Sequence, residues 1–406
     1  MANMLGVIAG AILILISVSL HEAGHMGTAK AFKMKVTRYF VGFGPTLFSF
    51  RRGDTEYGVK GIPFGGFVKI VGMTPQDDDA KDKRAMWRYP VWKRTVVLAA
   101  GSIVHFIIAF MIFWGVAATA ALPNPEAFKG TYIEISDCIP ATAASASAAG
   151  CKASDPASAA KAAGLQTGDK IVAVGATPVL TYQDMVKAIQ ALPAAQPTKF
   201  TYERAGVRGS AEVSPVAVQR KTASGEVRTV SAIGVAQTLD PTVPATLEYS
   251  ATEAFPQAGK MMVTTLGGVV ESVKRFPEKI PGLWTAITGG ERDPEGPLSV
   301  VGASRISGEL VEAGEIPTFW LVIASLNLFV GLFNLLPLLP LDGGHIAIAW
   351  FERIRSWIYA RLRKPDPGRV DYYKLMPLTY TVILIFGAFT LLTVTADIVN
   401  PITIFR

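Results

Sequence analysis

Ser19-Leu20-His21-Glu22-Ala23-Gly24-His25 closes the first apolar run of this 406-residue chain. It sets two histidines four residues apart with a glutamate beside the first. On a helix, positions i and i+4 share a face, so His21 and His25 can point at one metal ion. Glu22 then stands where it can take a proton from a bound water. By itself H-E-x-x-H is only moderately specific; its setting sharpens it. Residues 5–20 carry no charge, so three ionisable groups follow directly on lipid-compatible sequence. Such groups are costly in a bilayer and need partners, which makes a functional role the default. The competing reading is a helix that leaves the membrane at His21 with a solvated polar end.

Working outward, half of the chain is hydrophobic and only 17% is charged, more apolar than a usual soluble protein. Four spans are predicted, at about residues 4–31, 96–122, 319–350 and 378–399, each reaching the roughly 20 residues that cross a hydrocarbon core. Met1-Ala2-Asn3-Met4 lacks the basic start of a signal peptide, and the run after it leads into the metal motif and not a cleavage site. The net charge of +7 informs through its placement, because Lys and Arg crowd residues 30–94 and 353–374. By the positive-inside tendency both stretches are cytoplasmic, which puts both termini and the long middle segment outside. These charges flank membrane spans, so their expected counter-charge is anionic lipid and not nucleic acid. Cys138 and Cys151 are the only cysteines, both in the expected outer segment, where an oxidising compartment and close spacing favour a disulfide.

After the first helix, residues 35–73 read as strands and turns. Thr37-Arg38-Tyr39-Phe40-Val41 is β-prone, Gly42-Phe43-Gly44-Pro45 is a turn, and β-prone pieces at 46–50 and 56–62 precede Gly65-Gly66-Phe67-Val68. One reading is a small sheet dipping into the membrane beside the motif, with an open edge that pairs with an extended substrate backbone. An ordinary cytoplasmic hairpin is the other. Residues 74–83, with Asp77, Asp78, Asp79 and Asp82, read as a solvated acidic turn, and residues 84–94, with Trp87, Tyr89 and Trp92, as an interfacial approach to the second span. The lone His105 in that span reads as a packing or hydrogen-bonding residue.

Residues 123–237 are of soluble composition. A short Ala-rich helix and turn is expected at 157–168, a strand at 168–175, a helix at 182–192, and strands at 199–204, 210–218 and 228–235. The arrangement resembles a PDZ domain, with Ala-Gly-Leu-Gln-Thr-Gly-Asp-Lys-Ile at 163–171 as its signature. Such a domain holds a peptide against a strand edge; a purely structural small β-domain is the alternative. Residues 254–276 read as an amphipathic helix at the outer surface, and Asp293-Pro294-Glu295-Gly296-Pro297 precedes a short helix and the third span.

That span contains Asn334-Leu335-Leu336-Pro337-Leu338-Leu339-Pro340-Leu341-Asp342-Gly343-Gly344-His345. Two prolines and two glycines break the helix at membrane depth, where a broken helix usually lines a site. Asp342 joins His21 and His25 as a two-histidine, one-carboxylate set, leaving the fourth tetrahedral position open as catalytic zinc requires. Glu22 would deprotonate the zinc-bound water and Asn334 could donate to the oxyanion. His345 either supports the ligand set from outside or packs the helix end.

The HEAGH helix, the LDGGH broken helix and the PDZ-like insert between them resemble the site-2 protease family of intramembrane zinc metalloproteases, and more narrowly its actinobacterial single-PDZ branch. RYFVGFGPT, EYGVKGIPFGGFVKI, RDPEGPLSVVGAS and NLLPLLPLDGGHIAIAWFERIR carry the likeness. The resemblance implies zinc on His21, His25 and Asp342, Glu22 as base and Asn334 as the family's asparagine. It also implies a substrate-aligning hairpin that includes Thr37, Arg38, Tyr39, Phe40, Gly65, Gly66, Phe67 and Val68. The implied substrates are single-span membrane proteins such as anti-sigma factors already trimmed outside, with the PDZ domain excluding untrimmed ones. The expected fold is an α-helical polytopic membrane protein with four transmembrane helices, a membrane-associated β-hairpin region and an inserted extracytoplasmic α+β PDZ domain. Its parts are a first membrane half at 1–122, the PDZ domain at 123–240, an amphipathic segment at 241–318 and a second membrane half at 319–406. The alternative is a non-enzymatic PDZ-bearing adaptor with a structural metal site.

Overall fold

A computed structural model describes residues 2–140, 151, 154–221, 227–290, 292–293 and 296–405. In chain order its elements begin with α1 (Ala2–Ala31), β1 (Val36–Arg52), β2 (Thr55–Ile70) and α2 (Val91–Thr119). There follow β3 (Leu122–Pro123), β4 (Ile133–Ile135), α3 (Ala159–Ala162), β5 (Lys170–Val174), β6 (Thr177–Pro178) and α4 (Tyr182–Gln190). Next come β7 (Thr198–Arg204), β8 (Val207–Val213), β9 (Val216–Lys221), β10 (Val227–Ala232), β11 (Val235–Gln237) and β12 (Thr246–Leu247). The chain ends with α5 (Ala251–Ile287), α6 (Val300–Glu312), α7 (Ile316–Asn334), α8 (Asp342–Arg361) and α9 (Met376–Val399). Two compact units divide it, one of residues 1–120 with 249–406 and one of residues 121–248.

In the first unit, four helical segments among the described residues are long and apolar enough to cross a membrane: α1, α2, α7 and α9 with the short 3-10 turn before it. Of these α2 is the most buried, since it packs against α1, α5, α7 and α8. α1 stops where Lys33 takes a left-handed backbone (φ 62°). The Lys33 amide then donates to the Lys30 carbonyl and the Met34 amide to the Ala29 carbonyl, satisfying carbonyls that the helix end would orphan. The expected third span at 319–350 proves not to be one run. α7 ends at Asn334, because Pro337 and Pro340 have no amide hydrogen to continue the ladder, and α8 is a separate helix reaching Arg361. The connection folds back onto the first turn of α8. A Cβ on Gly344 would lie 2.6 Å from the Leu338 carbonyl carbon, and one on Gly343 would overlap the Leu335 carbonyl, so only glycine permits this approach.

β1 and β2 form a hairpin whose register doubles back. Arg38, Tyr39, Phe40 and Val41 pair with Lys69, Val68, Phe67 and Gly66 on one side and with Glu56, Tyr57, Gly58 and Val59 on the other. The outer arm, residues 46–52, pairs with residues 55–60 and exposes Leu47, Phe48 and Phe50. The acidic turn is fastened, not merely solvated. Asp79 accepts from the Gly72 amide at 2.8 Å, Asp77 from the Thr74 hydroxyl at 2.7 Å, and Asp82 pairs with Lys35 at 2.7 Å. Asp79 also pairs with Lys69 at 3.4 Å, and Ala80 is buried. The short helix expected before the third span is α6, packed on α1; Pro294 and Glu295 ahead of it fall outside the described residues.

The second unit is built on a sheet of order β6-β5-β7-β8. α4 buries Met185 and Ile189 against Ile171, Val174, Phe200 and Val213. Asp169, fully buried within the 163–171 signature, accepts two bonds from Arg204 (2.6 and 2.8 Å) and one from the Gln166 amide (2.8 Å). The expected strand at 210–218 is two strands, β8 and β9, divided at Ser214-Pro215, where proline removes a ladder donor. That expected at 228–235 divides at Gly234, which has φ +80°. Cys138 and Cys151 are joined as a disulfide. Residues 141–150, the Ala- and Ser-rich stretch between the two cysteines, lie outside the described residues.

Candidate metal centre

α1 presents His21 and His25 one turn apart, and both are buried. α8 brings Asp342 to them from its first turn, where the positive end of the helix favours a carboxylate. Nε2 of His21 lies 3.0 Å from Nε2 of His25, and Oδ2 of Asp342 lies 3.4 and 3.3 Å from them. Nδ1 of His25 is 2.7 Å from the carbonyl of Val97 on α2. A carbonyl only accepts, so Nδ1 carries the proton and a neutral ring turns a bare lone pair at Nε2 towards the centre. A carboxylate and an imidazole nitrogen that both accept thus face each other, which a cation relieves. The spacing fits as well: ligands bound 2.0–2.1 Å from a tetrahedral zinc stand roughly 3.3 Å apart.

α2 makes room for the rings. A Cβ on Gly101 would stand 2.5 Å from His25 Nε2 and 2.6 Å from His21 Nδ1. Glu22 and Asn334 line one cavity of about 230 Å³ with His21 and Asp342. Oε2 of Glu22 accepts from the Val68 amide at 2.9 Å, so the carboxylate lies against β2. The expected substrate segments therefore stand differently. Gly66, Phe67 and Val68 follow Gly65 on the strand whose far side faces Glu22, whereas Arg38, Tyr39 and Phe40, next to Thr37, are paired on both sides. His345 stacks on Tyr372, ring centroids 5.8 Å apart.

The model for peptidase family M50 matches residues 9–364. The chain belongs to peptidase family M50. It is 42% identical to the zinc metalloprotease Rip1 of Mycolicibacterium smegmatis over 99% of both chains, and 41% identical to that of Mycobacterium tuberculosis over the same share. It is 25% identical to the zinc metalloprotease RasP of Geobacillus kaustophilus, over 84% of this chain and 87% of that one. As an M50 peptidase the chain is a zinc metalloprotease of the site-2 protease type, which sets aside the adaptor reading. Its metal is zinc, and the donor set fits that ion.

Three features of this candidate centre lie outside the sequence reading: the Val97 carbonyl behind His25, the room left at Gly101, and the place in the cavity wall of His105, which also bonds Asn327 as a hydrogen-bonding residue should. A signal existed for the last two. Gly101 and His105 are four apart and so share a face of α2, and an ionisable group in an apolar span is functional by default.

Proposed function

We propose that this zinc metalloprotease hydrolyses peptide bonds within the membrane-spanning segments of single-span proteins. His21, His25 and Asp342 hold the metal, Glu22 is the general base and acid, and Asn334 donates to the oxyanion. The observation that carries this reading is the convergence of three metal donors, two from the apolar α1 and one from the first turn of α8, with Glu22 in the same cavity. Zinc, when bound, brings the pKa of its water towards about 7 and polarises the scissile carbonyl. Glu22 takes the proton from the attacking water and passes it to the leaving amide nitrogen. The His25–Val97 bond fixes that ring's tautomer and aim. The Asn334 amide, at the end of α7 and lining the same cavity, donates to the oxygen that gains negative charge.

Substrate geometry follows from the sheet. A helical peptide bond is shielded by its own hydrogen bonds, so the substrate must be extended before attack. An extended segment laid along Gly66–Ile70, outside the Arg38–Val41 strand, runs past Glu22. The 121–248 unit acts as a PDZ-type filter. Its groove of about 210 Å³ lies between α4 and β10–β11, with Tyr182, Ile189, Arg220 and Val230 among its walls. A filter of that kind suits anti-sigma factors already cut on the outer side, with both chain termini outside and the basic stretches on the cytoplasmic leaflet.

Glu22→Gln in detergent-purified, zinc-loaded protein tests the assignment. The variant is expected to keep its fold and one zinc per chain and to lose at least about a thousandfold in cleavage of a helix-destabilised single-span substrate. Turnover at the parent rate would remove Glu22 from the mechanism.

A further inference from the structure

Two buried nitrogens beside the metal centre have no partner among the described residues: Nδ1 of His21 and Nε2 of His105. They belong to neighbouring rings with centroids 5.0 Å apart and planes inclined by 43°. Two imidazoles bridged nitrogen to nitrogen by one N–H···N bond have centroids roughly 5 Å apart, so at this separation a turn of the rings, without a shift of either helix, brings the two nitrogens together. His105 is 1% exposed and lines the cavity that holds His21, Glu22 and Asp342.

Protonation follows from the surroundings. Asn327 Nδ2 donates to the Ile323 carbonyl at 2.8 Å, which turns Oδ1 of the same amide towards His105. That oxygen accepts from His105 Nδ1 at 2.8 Å. A neutral His105 therefore carries its proton on Nδ1 and offers a lone pair at Nε2. A metal-bound His21 has the opposite need, because Nε2 is committed to the ion and Nδ1 must carry a proton. A metal-ligating histidine almost always donates its other ring N–H to an oriented acceptor. His25 does so to the Val97 carbonyl. No carbonyl or carboxylate among the described residues does this for His21.

We propose that His105 is a positioning residue for the metal centre: its Nε2 accepts the Nδ1 proton of His21, in a chain running His21–His105–Asn327–Ile323 carbonyl. This rests on the assignment of His21 as a zinc ligand. The chain fixes the ring of His21 and raises its basicity as the Val97 carbonyl does for His25. α2 thus orients both histidines of α1, with a backbone group for one and a side chain for the other. Asn327 on α7 ties the same network to the helix that ends at Asn334.

The test is zinc retention by the full chain in detergent against a graded chelator, read as metal content, with the unfolding of the metal-free protein measured alongside. His105→Phe keeps the volume and removes the acceptor; it is expected to retain zinc about ten- to hundredfold less tightly. His105→Gln, which returns a polar amide near the place of Nε2, is expected to recover most of that loss. Asn327→Leu frees the tautomer of His105 and is expected to weaken retention by less than His105→Phe, with no further loss in the double variant. Parent-like retention by His105→Phe would overturn the proposal, as would equal losses in the Phe and Gln variants, which indicate packing alone. If His105→Phe does not fold, Asn327→Leu decides: weakened retention supports the chain and unchanged retention overturns it. His21→Ala separates the underlying assignment. If it keeps zinc, the ligand set itself fails; if it loses zinc while His105→Phe does not, only the present inference fails.

Discussion

Single side chains set the chemistry here, and two kinds of neighbour decide whether they can perform it. One is the Val97 carbonyl behind the His25 imidazole; the other is the absence of a side chain at Gly101. A methyl group there would overlap the ring of His21 and lie 2.5 Å from Nε2 of His25. Helix backbone cannot retreat by that much without disturbing α1 packing, so the rings must turn away. Gly101→Ala is therefore expected to weaken zinc retention about tenfold or more, and to cost about 1–3 kcal/mol of stability through overpacking. Chelator competition and thermal unfolding of the purified protein check the two parts separately. The pair of histidines and Glu22 was legible because helical periodicity fixes which residues share a face. Gly101 and His105 were legible only as two residues on one face of α2, because what a small residue and a lone histidine do depends on what packs against them.

The elements that carry these residues are held by polar contacts that the charge pattern concealed. Arg94, counted with the cytoplasmic basic residues, is 3% exposed and pairs with Glu352 at 3.4 Å. Glu352 also accepts from Arg369 and from the Val370 amide, each at 2.9 Å. This cluster joins α2, which supplies Val97 and Gly101, to α8, which supplies Asp342. Arg94→Ala would leave the buried carboxylate half-paired, with an expected loss of about 3 kcal/mol; Arg94→Lys should restore part of it in the same thermal-unfolding measurement. The hairpin base behaves differently because its ion pairs reach solvent. The Lys35 ammonium holds the Asp82 carboxyl below the usual carboxylate range, and a hydrogen bond from Arg84 does the same for Asp54. Carboxyls with lowered folded pKa add stability above their unfolded value of about 3.9, and lose it as pH falls through the folded value. Hydrogen exchange, corrected for intrinsic rates, is expected to show the Lys35 and Val71 amides protected from neutral pH to about 4 and released only below it. Release between pH 7 and 5 would show that these pairs do not hold the hairpin base.

Across the whole molecule, every proposed metal donor lies in the unit of residues 1–120 and 249–406, and the disulfide lies in the other. Replacing Cys138 and Cys151 by serine removes a cross-link between positions 13 apart, with an expected loss of about 3 kcal/mol from the 121–248 unit. Limited proteolysis of the full chain should then cut that unit sooner while zinc content stays at the parent level. A fall in zinc content would show that the cross-link reaches the metal centre. Four apolar segments and a helix break at Pro337 and Pro340 were readable from composition and backbone chemistry, whereas Gly343 and Gly344, expected to help break the helix, lie inside α8 and let the connection approach its first turn. The division of the 210–218 strand has a local cause too, since Pro215 has no amide hydrogen to give the ladder.

What the chain determined unaided is local: two imidazoles and a carboxylate on one helical turn, a stop after Asn334, and aspartate at a helix start. Those follow from periodicity and from which residues can donate a backbone bond. Only tertiary structure decided that Oδ2 of Asp342 meets both Nε2 atoms, that the Val68 amide meets Glu22, and that His105 stands beside His21. Each of these contacts joins residues far apart in sequence, and their register depends on how whole helices and strands pack, which no local pattern encodes.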